Sequence, residues 1–269
     1  MKPLECCFER EGLPGFGLPD DLAMAFGGDF GLDRPELYAN FVASVDGVLA
    51  LPGDVESGHI VSGSDEPDRF IMGLLRAAAD AVLIGAGTFR KAAGELWHPE
   101  SVYRPAAGSY AELRRKLGLR PHPRLVVVTA SGHIDTTQPA LRDGLILTTP
   151  QGEGRLRGRL PEGARVAVMD APPFAGQSIL DLLHGQGLLT LLVEGGPTLV
   201  GQLLAEGLID ELFLTTSPKL FGRYPGDRRK ALVEGVDLGG RPMALASLRR
   251  HASHLYLRYG FRPSETMTG

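Results

Sequence analysis

The sequence has little of what defines membrane and secreted proteins. It contains only two cysteines among its 269 residues, and these are adjacent, Cys6 and Cys7. Neighbouring cysteines seldom form a relaxed disulfide, and structural disulfides belong to oxidising compartments. No run approaches the roughly 18 apolar residues of a membrane span, and the acidic N-terminus lacks the apolar core of a secretory signal. These absences predict a cytoplasmic protein with no membrane partner.

Basic charge and several catalytic motifs are also missing. The net charge is −4, so no nucleic-acid partner is expected, because phosphate backbones are bound by basic surfaces. The sequence contains neither H-E-x-x-H nor C-x-x-C, and we therefore predict no metal. It also lacks the G-x-S-x-G turn of many serine hydrolases. A serine-hydrolase triad therefore has little support.

Glycine and proline are abundant, at 36 and 20 residues, and they separate strand-like from helix-like segments. Residues 1–36 are predicted to form an N-terminal arm, residues 37–262 a single α/β domain and residues 263–269 a flexible tail. Alternating strands and helices predict a mostly parallel central sheet with helices on both faces. The last two strand-like segments, "DELFLTTSPKLFG" and "HLYLRYGF", have no clear helix between them, which predicts an antiparallel C-terminal edge.

Two junctions between a strand and a helix, "LIGAGTFR" and "LVEGGPTL", are rich in glycine. Gly85, Gly87 and Thr88 belong to the first junction, and Gly195 and Gly196 belong to the second. In open α/β sheets ligands bind beyond the carboxyl ends of the strands, where bare backbone N–H groups suit an anionic pyrophosphate. Each junction alone is more typical of a simple turn. Together they predict a phosphate-binding edge.

Other residues at this edge complete the pattern. The Rossmann fingerprint G-x-G-x-x-G is not complete, because Arg90 occupies the position of its third glycine. Asp46 and Gly47 end the strand "NFVASVDG", as in an ordinary turn, and Asp68 begins the next helix, as an ordinary helix-dipole acid would. If that helix faces the same crevice, Asp68 can hold the donor edge of a pyrimidine or pteridine ring through paired hydrogen bonds.

The segments "NFVASVDG", "LRAAADAVLIGAGTFR" and "LLVEGGPTLVGQLLAEGLIDELFLTTSPKLFG" together resemble the reductase domain of bacterial riboflavin biosynthesis, within the dihydrofolate reductase-like superfamily. The resemblance covers roughly residues 37 to 260, and the short arm before a lone reductase domain is similar to stand-alone actinobacterial pyrimidine reductases. It implies a dihydrofolate reductase-like fold and a homodimer. It further implies NADPH-dependent reduction of 5-amino-6-(5-phosphoribosylamino)uracil or a closely related pyrimidine.

The resemblance also implies a set of site residues. The implied cofactor-binding residues are Ser44, Val45, Asp46, Gly47, Gly85, Gly87, Thr88, Thr129, Ser131, Gly195, Gly196, Pro197 and Thr198. The implied substrate-binding residues are Asn40, Asp46, Asp68 and Glu194, of which Asp68 and Glu194 are the catalytic candidates. Arg90, Ser131 and Arg155 are alternatives for contact with a cofactor 2′-phosphate. A carboxylate repels phosphate, so Glu194 is predicted to point toward the substrate or nicotinamide, or to accept hydrogen bonds from backbone N–H groups.

Two departures from the family pattern leave the substrate open. Asn40 stands where these enzymes usually have a lysine, and "KAAGELW" replaces an acid and a proline after the G-T-x-R turn. Both positions are implied to contact the substrate phosphate, and loss of the lysine removes a cation there. A dihydrofolate or pterin reductase and a non-catalytic NADP-binding protein are therefore the alternatives.

Overall fold

The computed structural model describes residues 1–53, 57–170 and 172–261. Within these residues, strands β1 to β10 are Glu5–Glu9, Glu36–Ser44, Ala81–Gly85, Arg124–Val128, Leu145–Thr148, Arg165–Val168, Thr190–Val193, Glu211–Ser217, Ala244–His251 and His254–Gly260. Helices α1 to α9 are Asp20–Phe26, Ser57–Ser62, Glu66–Ala78, Ala86–Lys91, Pro99–Val102, Ala107–Lys116, Pro150–Leu156, Gly176–His184 and Pro197–Ala205. Among the described residues, none of the helices has the length and apolar character needed to cross a bilayer.

All ten of these strands form one sheet, in the order β1-β9-β10-β8-β2-β7-β3-β4-β5-β6. The neighbours from β8 to β6 run parallel. Strand β10 pairs antiparallel with β8 and β9, and β9 pairs antiparallel with β1. The predicted α/β fold, with a mostly parallel sheet and an antiparallel C-terminal side, is confirmed. The outermost strand on that side is β1, so the C-terminal hairpin is not itself the free edge.

The central strand β2 shows why the sheet has helices on both faces. All nine of its residues are buried, as expected for a parallel strand covered on both sides. Tyr38 belongs to the apolar core of one face, whereas Leu37 and Ala39 belong to the core of the other. The side chains alternate because successive residues of a strand point to opposite faces.

The N-terminal 36 residues contribute to the same fold. Their strand β1 extends the sheet, and Leu22 and Phe30 lie in the larger apolar core. The ring of Phe30 meets that of Phe213 edge to face, with centroids 5.8 Å apart. The domain boundaries at residues 36 and 262 remain predictions, and the predicted tail, residues 263–269, lies outside the described residues.

Candidate active site

An open cleft of about 330 Å³ lies beside β2 and helix α3 and reaches the junction after β7. Asn40 enters it from β2, and Asp68 and Arg76 enter it from α3. Thr88 of α4 and Glu194, which follows β7, also line it. Strands β2, β3 and β7 are adjacent and parallel, so their carboxyl ends bring these distant parts of the sequence to one edge of the sheet.

The two glycine junctions touch each other at this edge. The backbone N–H of Gly85 donates to the carbonyl of Gly195 at 3.3 Å. A Cβ atom on Gly195 would lie 2.4 Å from Oγ1 of Thr88, so any larger residue there would clash. Gly196 has a φ of +87°, a conformation that favours glycine. A Cβ on Gly87 would meet nothing within 4 Å, so this junction leaves room for a ligand close to the backbone.

Asp68 is held at the start of α3 with its side chain in the cleft. Its backbone N–H donates to the carboxylate of Asp65, the N-cap of the helix, at 3.0 Å. Asp68 is only 6% exposed. Burial raises the pKa of Asp68 to about 6, although a hydrogen bond with Thr215 and the nearby His254 oppose this shift. A carboxyl group with such a pKa exchanges a proton near neutral pH, as a general acid or base requires.

Glu194 forms a buried ion pair that the sequence analysis did not predict. Nε of Arg76 donates to both carboxylate oxygens of Glu194 at 3.0 Å, and a terminal nitrogen donates to one of them at 2.8 Å. Another terminal nitrogen of Arg76 reaches Glu95 at 2.7 Å. Burial alone would lower the pKa of Arg76, but attraction to the two carboxylates outweighs it and raises that pKa. The pair ties the second glycine junction to α3.

The motif S-x-D-G forms a hydrogen-bonded turn at the end of β2. Ser44 donates through its hydroxyl to Asp46 at 2.5 Å, and Asp46 also accepts from the backbone N–H groups of Phe221 and Gly222. These hydrogen bonds, with that from Ser44 the strongest, lower the pKa of Asp46. Asp46 is exposed, and its carboxylate joins this turn to the segment that follows β8.

A separate group of candidates lies where β4 and β5 end. The Thr129 hydroxyl accepts from Gly132, at 3.2 Å. The Ser131 carbonyl accepts from the guanidinium of Arg155 at 2.8 Å, and the guanidinium of Arg90 donates to the carbonyl of His133 at 3.1 Å. Two arginines thus hold the same exposed loop.

The cleft contains part of the predicted site. The candidates that line it are Asn40, Asp68, Thr88, Glu194, Gly195, Gly196 and Pro197. The candidates that do not line it are Ser44, Val45, Asp46, Gly47, Gly85, Gly87, Thr129, Ser131 and Thr198. Gly85 does not line the cleft but lies against Gly196, which does.

Sequence reasoning missed several residues that line the cleft. Three of them are cations, Arg69, Arg76 and Lys91. Trp97 is buried and stacks on Phe89 with ring centroids 5.8 Å apart. One signal was available for Arg76, because Asp68, Met72 and Arg76 recur every four residues and therefore share one face of α3.

A mixed α/β fold whose cleft joins two glycine junctions to a buried carboxyl group defines a protein that binds a small molecule at the carboxyl edge of its sheet. The chain belongs to the RibD C-terminal domain family, whose profile matches residues 35–251. The family resemblance found in the sequence is thereby confirmed.

Individual relatives agree with this membership. A protein of Archaeoglobus fulgidus, named 2,5-diamino-6-ribosylamino-4(3H)-pyrimidinone 5′-phosphate reductase, is 30% identical over 193 residues, which cover 70% of this chain and 83% of the relative. A pyrimidine reductase-like protein of Corynebacterium diphtheriae has the same fold, with a TM-score of 0.69, 24% identity and coverage of 92% of this chain and 96% of that one. RibD of Acinetobacter baumannii follows with a TM-score of 0.63, 20% identity and coverage of 88% and 59%.

Proposed function

We propose that the chain is an oxidoreductase of the riboflavin pathway, which reduces a ribosylamino-pyrimidine 5′-phosphate with a nicotinamide cofactor. Membership of the RibD C-terminal family and the name of the Archaeoglobus relative support it over a dihydrofolate or pterin reductase. The observation in the molecule that carries the proposal is Asp68, a buried acid with a pKa near 6 in the same cleft as the second glycine junction.

The cofactor is proposed to lie along the two glycine junctions. The cleft fits such a group, because Gly195 and Gly196 present bare backbone to it and Gly87 faces open space. When bound, the cofactor supplies the hydride. Backbone N–H groups of the junctions would hold its phosphates, and the turn of residues 44–47 would border the nicotinamide.

The substrate ring is proposed to lie against Asp68. Its carboxyl group anchors the ring by hydrogen bonds and, when protonated, donates the proton that accompanies reduction of the imine formed from the ribosylamino group. Glu194 is proposed to act through Arg76 as a positioning residue, because both of its oxygens already accept from that guanidinium. Asn40 borders the same space.

Arg69 and Lys91 are proposed to bind the substrate phosphate in place of the family lysine that Asn40 replaces. Both line the cleft, and the buried Nε of Arg69 has no hydrogen-bond partner within the residues that the structure describes. Arg69→Gln should raise the KM for the phosphorylated substrate and leave the Kd for NADPH unchanged. An equal rise in both constants would argue against this assignment.

NADPH rather than NADH is proposed as the cofactor, with Arg90 and Arg155 as the contacts of the 2′-phosphate. Both guanidinium groups already hold the loop that contains Ser131 and His133, and a guanidinium suits bidentate binding of phosphate. Arg90→Gln and Arg155→Gln should each weaken the binding of NADPH and leave the binding of NADH unchanged. Equal weakening of NADPH and NADH binding would show that these arginines do not contact the 2′-phosphate.

Substrate-dependent oxidation of NADPH tests the proposed function. Purified protein is mixed with NADPH and, in separate reactions, with the 2,5-diamino-pyrimidinone phosphate, the corresponding 5-amino-uracil phosphate and dihydrofolate. Loss of NADPH absorbance with either ribosylamino-pyrimidine is expected, and the ratio of the two kcat/KM values identifies the substrate. Turnover of dihydrofolate alone, or binding of NADPH without any oxidation, would contradict the proposal.

A homodimer in the cytoplasm is proposed as the working form. The free edge of the antiparallel side is the short, exposed strand β1, and exposed edge strands readily pair with a second chain. Light scattering coupled to size exclusion gives the mass directly. A mass equal to one chain, 28.8 kDa, at the concentration of the assay would contradict the dimer.

A further inference from the structure

Three side chains from two parts of the chain converge beside the cleft. His98 and Glu100 flank the start of α5, and His122 precedes β4. Nδ1 of His98 and Nδ1 of His122 lie 3.5 Å and 3.3 Å from the same carboxylate oxygen of Glu100. The two imidazole rings have centroids 3.8 Å apart. One ligand atom from each of the three residues lies within 4.8 Å of the others.

We propose that His98, Glu100 and His122 form a binding site for a first-row divalent transition metal, with Zn²⁺ as the reference ion. Zinc bonds of about 2.0–2.1 Å in a tetrahedron place neighbouring ligand atoms about 3.3–3.4 Å apart. The separations of the two Nδ1 atoms from Glu100 are close to this edge length. Two imidazoles and one carboxylate are a donor set that zinc prefers, whereas Mg²⁺ prefers oxygen ligands alone.

The exposure of the cluster determines how the site completes its coordination. The side chains of His98, Glu100 and His122 are 27%, 37% and 45% exposed, so water supplies the fourth ligand. The rings are nearly parallel, at 6°, and a metal lies in the plane of each imidazole that it binds. Binding therefore requires the rings to tilt apart, and the exposed His122 has the room to do so.

The site is connected to the wall of the cleft. The carbonyl of His98 accepts from the guanidinium of Arg76 at 3.4 Å and from the hydroxyl of Ser101 at 2.8 Å. Its neighbours Trp97, Ser101 and Val102 line the cleft. A metal held by His98 and His122 would fasten this wall to the segment that enters β4. The role of the metal is therefore structural, and binding should stabilise the fold.

Metal binding is tested on chelator-treated full-length protein without a histidine tag. Zinc titration by calorimetry, with bound metal counted by mass spectrometry, should give one ion per chain. At a free zinc concentration 100-fold above the Kd, the Tm should rise by about 5 °C or more. Co²⁺ should give the visible absorption of a nitrogen- and oxygen-bound tetrahedral ion. Mg²⁺ should produce neither effect.

Matched variants separate this site from others on the surface. His122→Gln and Glu100→Gln should each weaken zinc binding about tenfold or more, with the circular dichroism spectrum unchanged. His133→Gln, an exposed histidine elsewhere, should bind zinc as the parent does. Because Cys6 and Cys7 are exposed thiols, Cys6→Ser/Cys7→Ser should also retain binding. No zinc binding, or binding that His122→Gln leaves intact, would overturn the proposal whether or not the reductase activity is found.

Discussion

The proposed proton donor is Asp68, in the first turn of helix α3. Its carboxyl group is buried, lines the cleft and has a pKa near 6. Replacement by asparagine keeps the size and one acceptor oxygen but removes the exchangeable acidic proton. We expect Asp68→Asn to lower kcat about 100-fold or more. The Kd for NADPH should change little, because the backbone proposed to bind its phosphates is elsewhere. Stopped-flow turnover and fluorescence titration of NADPH measure the two quantities.

A matched control for this variant is Asp20→Asn. Both carboxylates lie in the first turn of a helix, but Asp20 is exposed and does not line the cleft. The control should keep parental kcat. If Asp68→Asn weakens NADPH binding as much as it lowers turnover, Asp68 contacts the cofactor and not the substrate ring.

The pKa of Asp68 also makes a prediction about stability. The folded protein binds this proton more tightly than the unfolded chain does, since the pKa is about 6 when folded and near its ordinary 3.8 when unfolded. The contribution of Asp68 to the free energy of unfolding is therefore most favourable below pH 4. It falls as pH rises from about 4 to 6 and is level above that, with a total change of about 3 kcal/mol.

The same variant isolates this effect from all other titrating groups. Urea unfolding of the parent and of Asp68→Asn is compared at several pH values between 4 and 7. The variant should gain stability relative to the parent as pH rises, because its amide has no charge to bury. A difference that stays constant across this range would show that the Asp68 pKa is not raised.

At the scale of elements, the two glycine junctions are in direct contact. Gly195→Ala would place a methyl group 2.4 Å from Oγ1 of Thr88, and such overpacking costs about 1–3 kcal/mol. Gly195→Ala should therefore lower stability, and Thr88→Ala/Gly195→Ala should recover part of the loss. Gly87→Ala, with open space around its Cβ, should keep stability and weaken NADPH binding. Urea unfolding and NADPH titration report the two effects.

Two outcomes would contradict these expectations. If Gly87→Ala binds NADPH as tightly as the parent, the open space beside Gly87 is not occupied by the cofactor. If Gly195→Ala is as stable as the parent, the contact between the two junctions is not close enough to matter.

Elements with a strong apolar pattern could be predicted from the sequence, and contacts between distant elements could not. Strand β2 and helix α3 follow from continuous and periodic apolar residues. Strand β1 was missed, because "ECCFE" is exposed at every residue and has no alternation. Arg76 and Glu194 are 118 residues apart, so only the parallel pairing of β2, β3 and β7 brings them together. The sequence analysis therefore could not predict that Arg76 is the partner of Glu194.

At the scale of the whole molecule, the N-terminal residues belong to the same folded unit as the rest. The family profile begins at residue 35, yet Leu4, Leu22 and Phe30 lie in the larger apolar core. Arg34 is paired with Asp80 at 2.6 Å, and β1 covers the edge that β9 would otherwise expose. The free energy of unfolding should therefore depend on residues that precede the family match.

Helix α1 provides an internal comparison for this dependence. Leu22 is fully buried and Met24, two residues later, is 64% exposed. Leu22→Ala leaves a cavity in the shared core and should lower the free energy of unfolding by about 2–5 kcal/mol, whereas Met24→Ala should stay within about 0.5 kcal/mol of the parent. Urea unfolding should remain a single transition in both variants, followed by circular dichroism and by the fluorescence of Trp97. A separate early transition in Leu22→Ala, with the Trp97 signal unchanged until later, would show instead that the arm unfolds independently of the reductase domain.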